Sequence, residues 1–129
     1  MPQRTVLEVE GVAHRAPIPM GVEIGGLVFS SGISGQDPVT GEFPPDPARQ
    51  AELMFQHLRS LLAAAGAGPE TVAKMTVYVV DNAYRDDVNR EWLKMFPDEH
   101  DRPARHTFRW DLPAGMLLQC EIVAVLDRE

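Results

Sequence analysis

Residues 117–126 read LLQCEIVAVL, and this stretch decides much of the predicted fold. The run is apolar except for Gln119, Cys120 and Glu121, and it predicts a largely buried β-strand. A lone carboxylate such as that of Glu121 is costly to bury inside an apolar strand unless it has a partner. We therefore expect a cation beside Glu121.

The cation that fits this position is Arg105, in the run RPARHTF at residues 102–108, which predicts the start of another strand. If the two strands form an antiparallel hairpin whose connection centres on Pro113, the register places Arg105 opposite Glu121. A guanidinium and a carboxylate then lie side by side on one face of the sheet. The pattern leaves two interpretations open, a structural salt bridge and a functional pair.

The rest of the chain supplies further strands at residues 5–9, 22–24, 27–30 and 74–80. Gly25 and Gly26 have the backbone freedom that a two-residue hairpin turn requires, so they predict a hairpin between the second and third strands. Residues 31–45 hold three Gly and three Pro, which predicts an ordered loop rather than an element.

Two helices are predicted between the strands. Asp46 is a good N-cap, apolar side chains follow it at helical spacing, and Gly66 is the expected stop. The second helix runs from Asp81 or Asn82 to Phe96. The order ββ(β)αβαββ predicts one α+β domain over residues 1–129, with both helices on one face of a mixed sheet. Because the other face carries apolar side chains and lies uncovered, we expect a homo-oligomer.

Composition narrows the class of partner. The 129 residues carry a net charge of −7 with a pI of about 5.0, which disfavours nucleic acid as a partner. The single Cys120 excludes an internal disulfide, fits a reducing compartment and is predicted to be a buried, inert thiol. The sequence contains no signal peptide and no membrane span, so we expect a cytoplasmic protein without a membrane partner.

Several kinds of site have little support. The histidines lie in four separate segments without a carboxylate at ligand spacing, so no metal is predicted. Ser31 lacks the pattern of a nucleophile elbow, and no helix opens directly after the glycines, as a dinucleotide fingerprint would require. Four other arginines are predicted to be solvated: Arg15, Arg85, Arg90 and Arg102.

One chemical interpretation survives. Arg105 can hold a small carboxylate in bidentate fashion, a geometry that lysine does not supply. Glu121 can orient a water molecule or take its proton, and Asn89 on the second helix can add a directed hydrogen bond. This is the minimal equipment for adding water to a small acid that carries a polarised C=N bond.

The sequence also resembles the reactive-intermediate deaminase family (Rid, YjgF-like, or endoribonuclease L-PSP) from about Ala16 to Leu126. No single matching segment is specific, but their order and separations are. The segments are residues 16–17 with 21–22, 29–32 (FSSG), 37–42 (DPVTGE), 61–66 (LLAAAG), 72–79 (VAKMTVYV), 88–89, 103–105 (PAR) and 121–125 (EIVAV).

The resemblance implies a chorismate-mutase-like fold of the bacillus type and a homotrimer with three clefts between subunits. It implies hydrolysis of small enamine or imine acids to 2-keto acids and ammonia, without cofactor or metal. The implied catalytic residues are Arg105 and Glu121. The implied substrate-binding residues are Arg105, Asn89, Ser31, Gly32, Thr107 and Ile18.

The sequence departs from the family pattern at five positions. Ile18 replaces the usual aromatic residue, Ile33 the common Gln, His106 a small or apolar residue, and Thr107 a common Cys; Asp111 also breaks the usual pattern. These changes indicate a divergent subgroup member. A non-catalytic trimer that binds small carboxylates or partner proteins stays open as the alternative. A 2-aminomuconate-type deaminase and an endoribonuclease are less favoured.

Overall fold

The chain folds into a mixed β-sheet with two helices on one face. A computed structural model describes residues 3–127. The strands are β1 (Thr5–Leu7), β2 (Gly21–Ile24), β3 (Leu27–Ser30), β4 (Ile33–Ser34), β5 (Val72–Val79), β6 (Ala104–Arg109) and β7 (Leu118–Val125). The helices are α1 (Pro47–Ala64) and α2 (Arg85–Met95), with short 3₁₀ turns at Pro69–Thr71 and Asn82–Tyr84. The predicted α+β class and the mixed sheet are confirmed.

Local signals in the sequence give the helix ends and the first hairpin. The Asp46 carboxylate accepts a hydrogen bond from the N–H of Ala48 and begins α1, and Gly66 follows its end with φ of +71°. Gly25 and Gly26 have φ of +59° and +79°, as the predicted two-residue turn requires. These predictions are confirmed. The second helix differs in detail, because residues 82–84 form a 3₁₀ turn and the α-helix ends at Met95.

The strand order is β1-β2-β3-β7-β5-β6, so the predicted hairpin between the last two strands is wrong. β5 lies between them, parallel to β6 and antiparallel to β7. Three alternate residues of β5, Met75, Val77 and Val79, are fully buried, whereas the polar β6 is mostly exposed. The apolar strand therefore takes the centre of the sheet and the charged strand takes the edge.

A short strand interrupts the predicted loop over residues 31–45. β4 pairs with β7 through Ile33 and Cys120, whereas β3 pairs with residues 123–125, further along the same strand. The break between β3 and β4 falls at Ser31 and Gly32. A Cβ added to Gly32 would meet the Gln119 side chain at 2.4 Å, so the glycine lets the chain approach β7 closely.

Gln50 on α1 fixes the two loops that approach this end of the sheet. Its side chain is fully buried; Nε2 donates to the carbonyls of Pro44 and Gly115 at 2.7 and 2.9 Å, and Oε1 accepts from Leu117 N–H at 3.0 Å. Every polar atom of the amide has a partner, so burial costs little and the loops are held in place.

Within residues 3–127, nothing covers the sheet face opposite the helices, as predicted. Val6, Val22, Phe29 and Val123 stand in register across four adjacent strands on this face. Val6 is 57% exposed and Phe29 41% exposed. Such an apolar row is typical of a surface that another protein surface covers.

Cys120 lies on the helix side of β7 and is fully buried, which confirms the predicted burial. Burial, and secondarily the charge of Glu121, raise the pKa of its thiol above the ordinary value. Within residues 3–127, neither helix is long and apolar enough to cross a membrane.

Candidate active site

Arg105 is held on the helix side of the edge strand by three contacts. Its Nε donates to Thr107 Oγ1 at 3.2 Å, and its Nη2 donates to Asn89 Oδ1 on α2 at 2.5 Å. The guanidinium carbon lies 4.9 Å from the centre of the Trp92 ring, at a distance suited to a cation–π interaction. The side chain is therefore orientated before any ligand arrives.

The environment of Arg105 favours an anion. Within residues 3–127, no carboxylate oxygen lies within 4.0 Å of the guanidinium. Desolvation by burial, and after it the charge of Arg85, lower the pKa of Arg105, which nonetheless stays a cation at neutral pH. When a carboxylate binds to a partly buried cation that has no counter-ion, the attraction between the two charges lowers the free energy.

Glu121 belongs to a second group of residues on the uncovered face of the sheet. The Tyr78 hydroxyl donates to Glu121 Oε1 at 3.0 Å, and this hydrogen bond is the main cause that raises the pKa of Tyr78. The Tyr78 ring stacks on Phe108 with ring centres 6.0 Å apart. The expected burial of Glu121 in the strand is wrong, since its side chain is exposed.

These residues border a cleft of about 690 Å³. Glu121 and Gln119 form one wall, and aromatic rings of β5 and β6 form another. The lining residues are His14, Ile18, Gly32, Tyr78, Phe108, Trp110, Asp111, Leu112, Pro113, Gln119 and Glu121. The cleft thus combines a carboxylate with apolar walls, a combination that is typical of a small-molecule site.

The predicted pairing of Arg105 with Glu121 is wrong. Arg105 stands opposite Met75 of β5, whereas Glu121 stands opposite Thr76, the next residue along the same strand. Successive residues of a strand point to opposite faces, so the guanidinium and the carboxylate lie on opposite sides of the sheet. One small molecule cannot contact both groups of a single chain.

The predicted site residues divide into two sets, one on each face of the sheet: the Arg105 set and the Glu121 set. Asn89 and Thr107 contact Arg105, whereas Ile18 and Gly32 border the cleft with Glu121. Ser31 lies beside this cleft without lining it, and its backbone N–H donates to the Met20 carbonyl at 2.9 Å. Each set therefore holds half of the predicted chemistry.

Sequence reasoning missed three contributors to these sets. Trp92 follows Asn89 by one helical turn, a spacing that could have placed both beside Arg105. Tyr78 shares a face of β5 with Thr76 and so lies near Glu121. Arg85, predicted to be solvated, is partly buried and its Nη2 donates to the Thr107 carbonyl at 3.2 Å.

Residues 3–127 bring together no group of three or more His, Cys, Asp or Glu side chains that could hold a metal ion. The side chains of the two sets carry chemistry of their own. Arg105 can bind a carboxylate, and Glu121 can accept a proton from water or orient it.

Comparison with known proteins gives consistent matches along the whole fold. A family model described as "Endoribonuclease L-PSP" matches residues 2–126. A protein of Escherichia coli strain K12 named "Putative reactive intermediate deaminase TdcF" is 36% identical over 112 residues, which cover 84% of this chain and 86% of TdcF. The 2-iminobutanoate/2-iminopropanoate deaminase of the same strain is 29% identical over 124 residues, covering 95% and 97%.

A solved structure of E. coli TdcF with bound serine superposes with a TM-score of 0.85 at 29% identity. The match covers 97% of this chain and 99% of that one. Serine, the ligand in that structure, carries a small carboxylate.

Proposed function

Because the chain belongs to the endoribonuclease L-PSP family of reactive intermediate deaminases, we propose that it hydrolyses small enamine or imine carboxylic acids to 2-keto acids and ammonia. The observation that carries this proposal is the state of Arg105. Its guanidinium is fixed by Asn89, Thr107 and Trp92 and has no carboxylate partner within residues 3–127. The site is therefore prepared for the carboxylate of a substrate.

The hydrolysis needs one acid–base group in addition to this anchor. With the substrate carboxylate on Arg105, a water held by Glu121 attacks the imine carbon; a C–O bond forms, the π bond of C=N breaks with its electrons passing to nitrogen, and one water proton passes to Glu121. Glu121 then gives this proton to the nitrogen, which yields a carbinolamine. Glu121 next carries the hydroxyl proton of that intermediate to the amino nitrogen, the C=O bond forms as the C–N bond breaks, and ammonia leaves. The product is the 2-keto acid.

Both groups can act on one substrate only if two copies of the chain share the site. Arg105 of one copy then meets Glu121 of a second, and the cleft with Ile18 and Gly32 closes over the bound acid. The uncovered apolar row that includes Phe29 supports such an association.

The geometry favours a ring of copies over a two-fold dimer. The two sets of residues lie on opposite faces of the sheet, so a contact that joins them uses two different surfaces. Such heterologous contacts close into cyclic assemblies, of which three copies form the smallest ring. We therefore include the homotrimer in the proposal.

The direct test is release of ammonia from freshly generated 2-iminopropanoate with and without the protein. We expect the protein to accelerate release well above the spontaneous rate. An unchanged rate would contradict the deaminase. Pyruvate binding without acceleration would instead favour the second candidate, a non-catalytic carboxylate binder, because the Arg105 set is complete within one chain and could bind an acid alone.

A further inference from the structure

A second guanidinium, that of Arg85, lies beside the Arg105 set. Arg85 is the first residue of α2; its Nε donates to Asn82 Oδ1 at 3.1 Å and its Nη2 to the Thr107 carbonyl at 3.2 Å. Arg105 bonds the hydroxyl of the same Thr107. Because one residue lies within hydrogen-bond reach of both, the two cations are close neighbours.

The two charges repel each other without local compensation. The charge of Arg85 contributes to lowering the pKa of Arg105. Among residues 3–127, neither guanidinium has a carboxylate oxygen within 4.0 Å, and the acid Asp87 on α2 pairs with Arg90 instead. A structural role alone would be served by a neutral amide that caps the Thr107 carbonyl. Two adjacent cations are better matched by two negative charges.

The donors needed for a second anion are present. A guanidinium has five N–H donors in a fixed plane. Arg85 uses its Nε and one Nη2 donor in the bonds described above, and Arg105 does the same. Within residues 3–127, the remaining N–H groups of both side chains have no hydrogen-bond acceptor, so each fork can receive a carboxylate.

We propose that Arg85 determines substrate class by binding a second carboxylate, so that the site takes 2-imino dicarboxylic acids in preference to monoacids. The two carboxylates must be separated by few bonds, because both cations contact one residue. The reaction class rests on the proposed deaminase, but the dianion preference is a property of binding and holds without it.

The test compares the affinity of the products. Dissociation constants for oxaloacetate and 2-oxoglutarate, as diacids, and for pyruvate and 2-oxobutanoate, as monoacids, are measured by calorimetry on four proteins. These are the wild type, Arg85→Gln, Arg85→Lys and the control Arg102→Gln. Arg102 is an exposed arginine that also bonds backbone carbonyls, those of Phe96 and Pro97, so its variant removes one charge and a comparable cap.

We expect the wild type and Arg102→Gln to bind the diacids about tenfold or more tightly than the monoacids, the scale of a charge-assisted hydrogen bond. Arg85→Gln should lose that preference because its affinity falls much more for the diacids than for the monoacids, and Arg85→Lys should keep part of the preference. Equal affinity for both classes in the wild type, or an unchanged preference in Arg85→Gln, would overturn the proposal. Stronger competition by inorganic phosphate than by the diacids would also overturn it.

The kinetic arm separates this proposal from the deaminase itself. Ammonia release is measured from imines generated from aspartate or glutamate and from alanine. If no imine is hydrolysed but the diacids still bind more tightly than the monoacids, the result contradicts the deaminase and supports the dianion site. Hydrolysis of all imines with equal kcat/KM supports the deaminase and overturns the dianion site.

Discussion

Arg105 and Glu121 project from opposite faces of the sheet, because their partners on the central strand β5 are consecutive residues, Met75 and Thr76. The two groups therefore cannot act together within one chain. Joint action of the two groups on one substrate therefore depends on how copies of the chain assemble. Their separation also makes the roles of the two residues separable by mutation, since neither supports the other structurally.

Replacing Arg105 by lysine tests the carboxylate anchor. Lysine keeps the charge but loses the planar fork and the contact of the guanidinium with the Trp92 ring. We therefore expect kcat/KM to fall by a factor that corresponds to a loss on the order of a few kcal/mol of transition-state binding. Steady-state ammonia release and melting temperature provide the measurements. The control is Arg109→Lys on the same strand, whose exposed guanidinium pairs with Asp111 and should tolerate the change. Equal losses in both variants would contradict a special role for Arg105.

Replacing Glu121 by glutamine tests the water-activating role. The amide keeps an oxygen that can accept from Tyr78 but cannot take a proton at neutral pH, so turnover should fall while pyruvate affinity and melting temperature stay nearly constant. Asp111→Asn is the matched control, because Asp111 borders the same cleft and carries the same charge. If Glu121→Gln melts at a clearly lower temperature and loses pyruvate binding, Glu121 has a structural role instead.

The hydrogen bond between Tyr78 and Glu121 predicts a pH dependence of stability at alkaline pH. The pKa of Tyr78 is raised above its ordinary value of 10.0 in the folded state. A raised folded-state pKa stabilises the fold below the unfolded-state pKa, and that contribution is lost as pH rises through the folded-state value. Because the pair is exposed, the free energy involved should stay below about 1 kcal/mol.

The measurement is the melting-temperature difference between the wild type and Tyr78→Phe from neutral pH to strongly alkaline pH. The variant should melt slightly lower at neutral pH, and the difference should vanish above the tyrosine pKa. Tyr84→Phe serves as the control for removal of a tyrosine hydroxyl, because no hydrogen bond of the Tyr84 hydroxyl is present within residues 3–127. A difference for Tyr78→Phe that persists at high pH would exclude the hydrogen bond as its cause.

Replacing Gln50 should reduce the stability of the fold more than any other substitution outside the apolar core that is tested in these experiments. Gln50→Leu removes the three hydrogen bonds that a buried amide makes to part-buried backbone groups, which should cost about 3 kcal/mol of unfolding free energy at about 1 kcal/mol per bond. Denaturant unfolding of this variant is compared with that of Gln56→Leu, an exposed position on the same helix. We expect the exposed substitution to change the unfolding free energy by less than about 0.5 kcal/mol. Similar unfolding midpoints would contradict the role assigned to Gln50.

Local features of the fold were predictable because their causes lie within a few residues. The N-cap Asp46, the stop at Gly66 and the turn at Gly25 and Gly26 each follow from the conformation of one short segment. The pairing of β6 was not predictable in this way. The pairing depends on which strand is most deeply buried. The connection at Pro113 suggested that β6 and β7 form a local hairpin. In the sheet, α2 instead carries the chain from β5 to β6 so that these two strands pair.

The candidate site shows the same division. Arg105, Glu121 and Asn89 could be selected because their chemistry is unusual for their positions. Their grouping could not, since it follows from the sheet order. Arg85 was assigned to the solvated surface because nothing in its neighbourhood along the chain indicates that it reaches Thr107 on another element. The covering of the apolar row stays a prediction, as does the homotrimer.

The most direct test of a site shared between copies is complementation between two inactive variants. Arg105→Lys and Glu121→Gln chains are unfolded together, refolded as mixed oligomers and assayed for ammonia release. If each site takes Arg105 from one copy and Glu121 from another, random mixing restores about a quarter of the sites to the intact pair. We predict recovered activity near that fraction of wild type. Activity that stays at the mean of the two separately refolded variants would contradict a shared site.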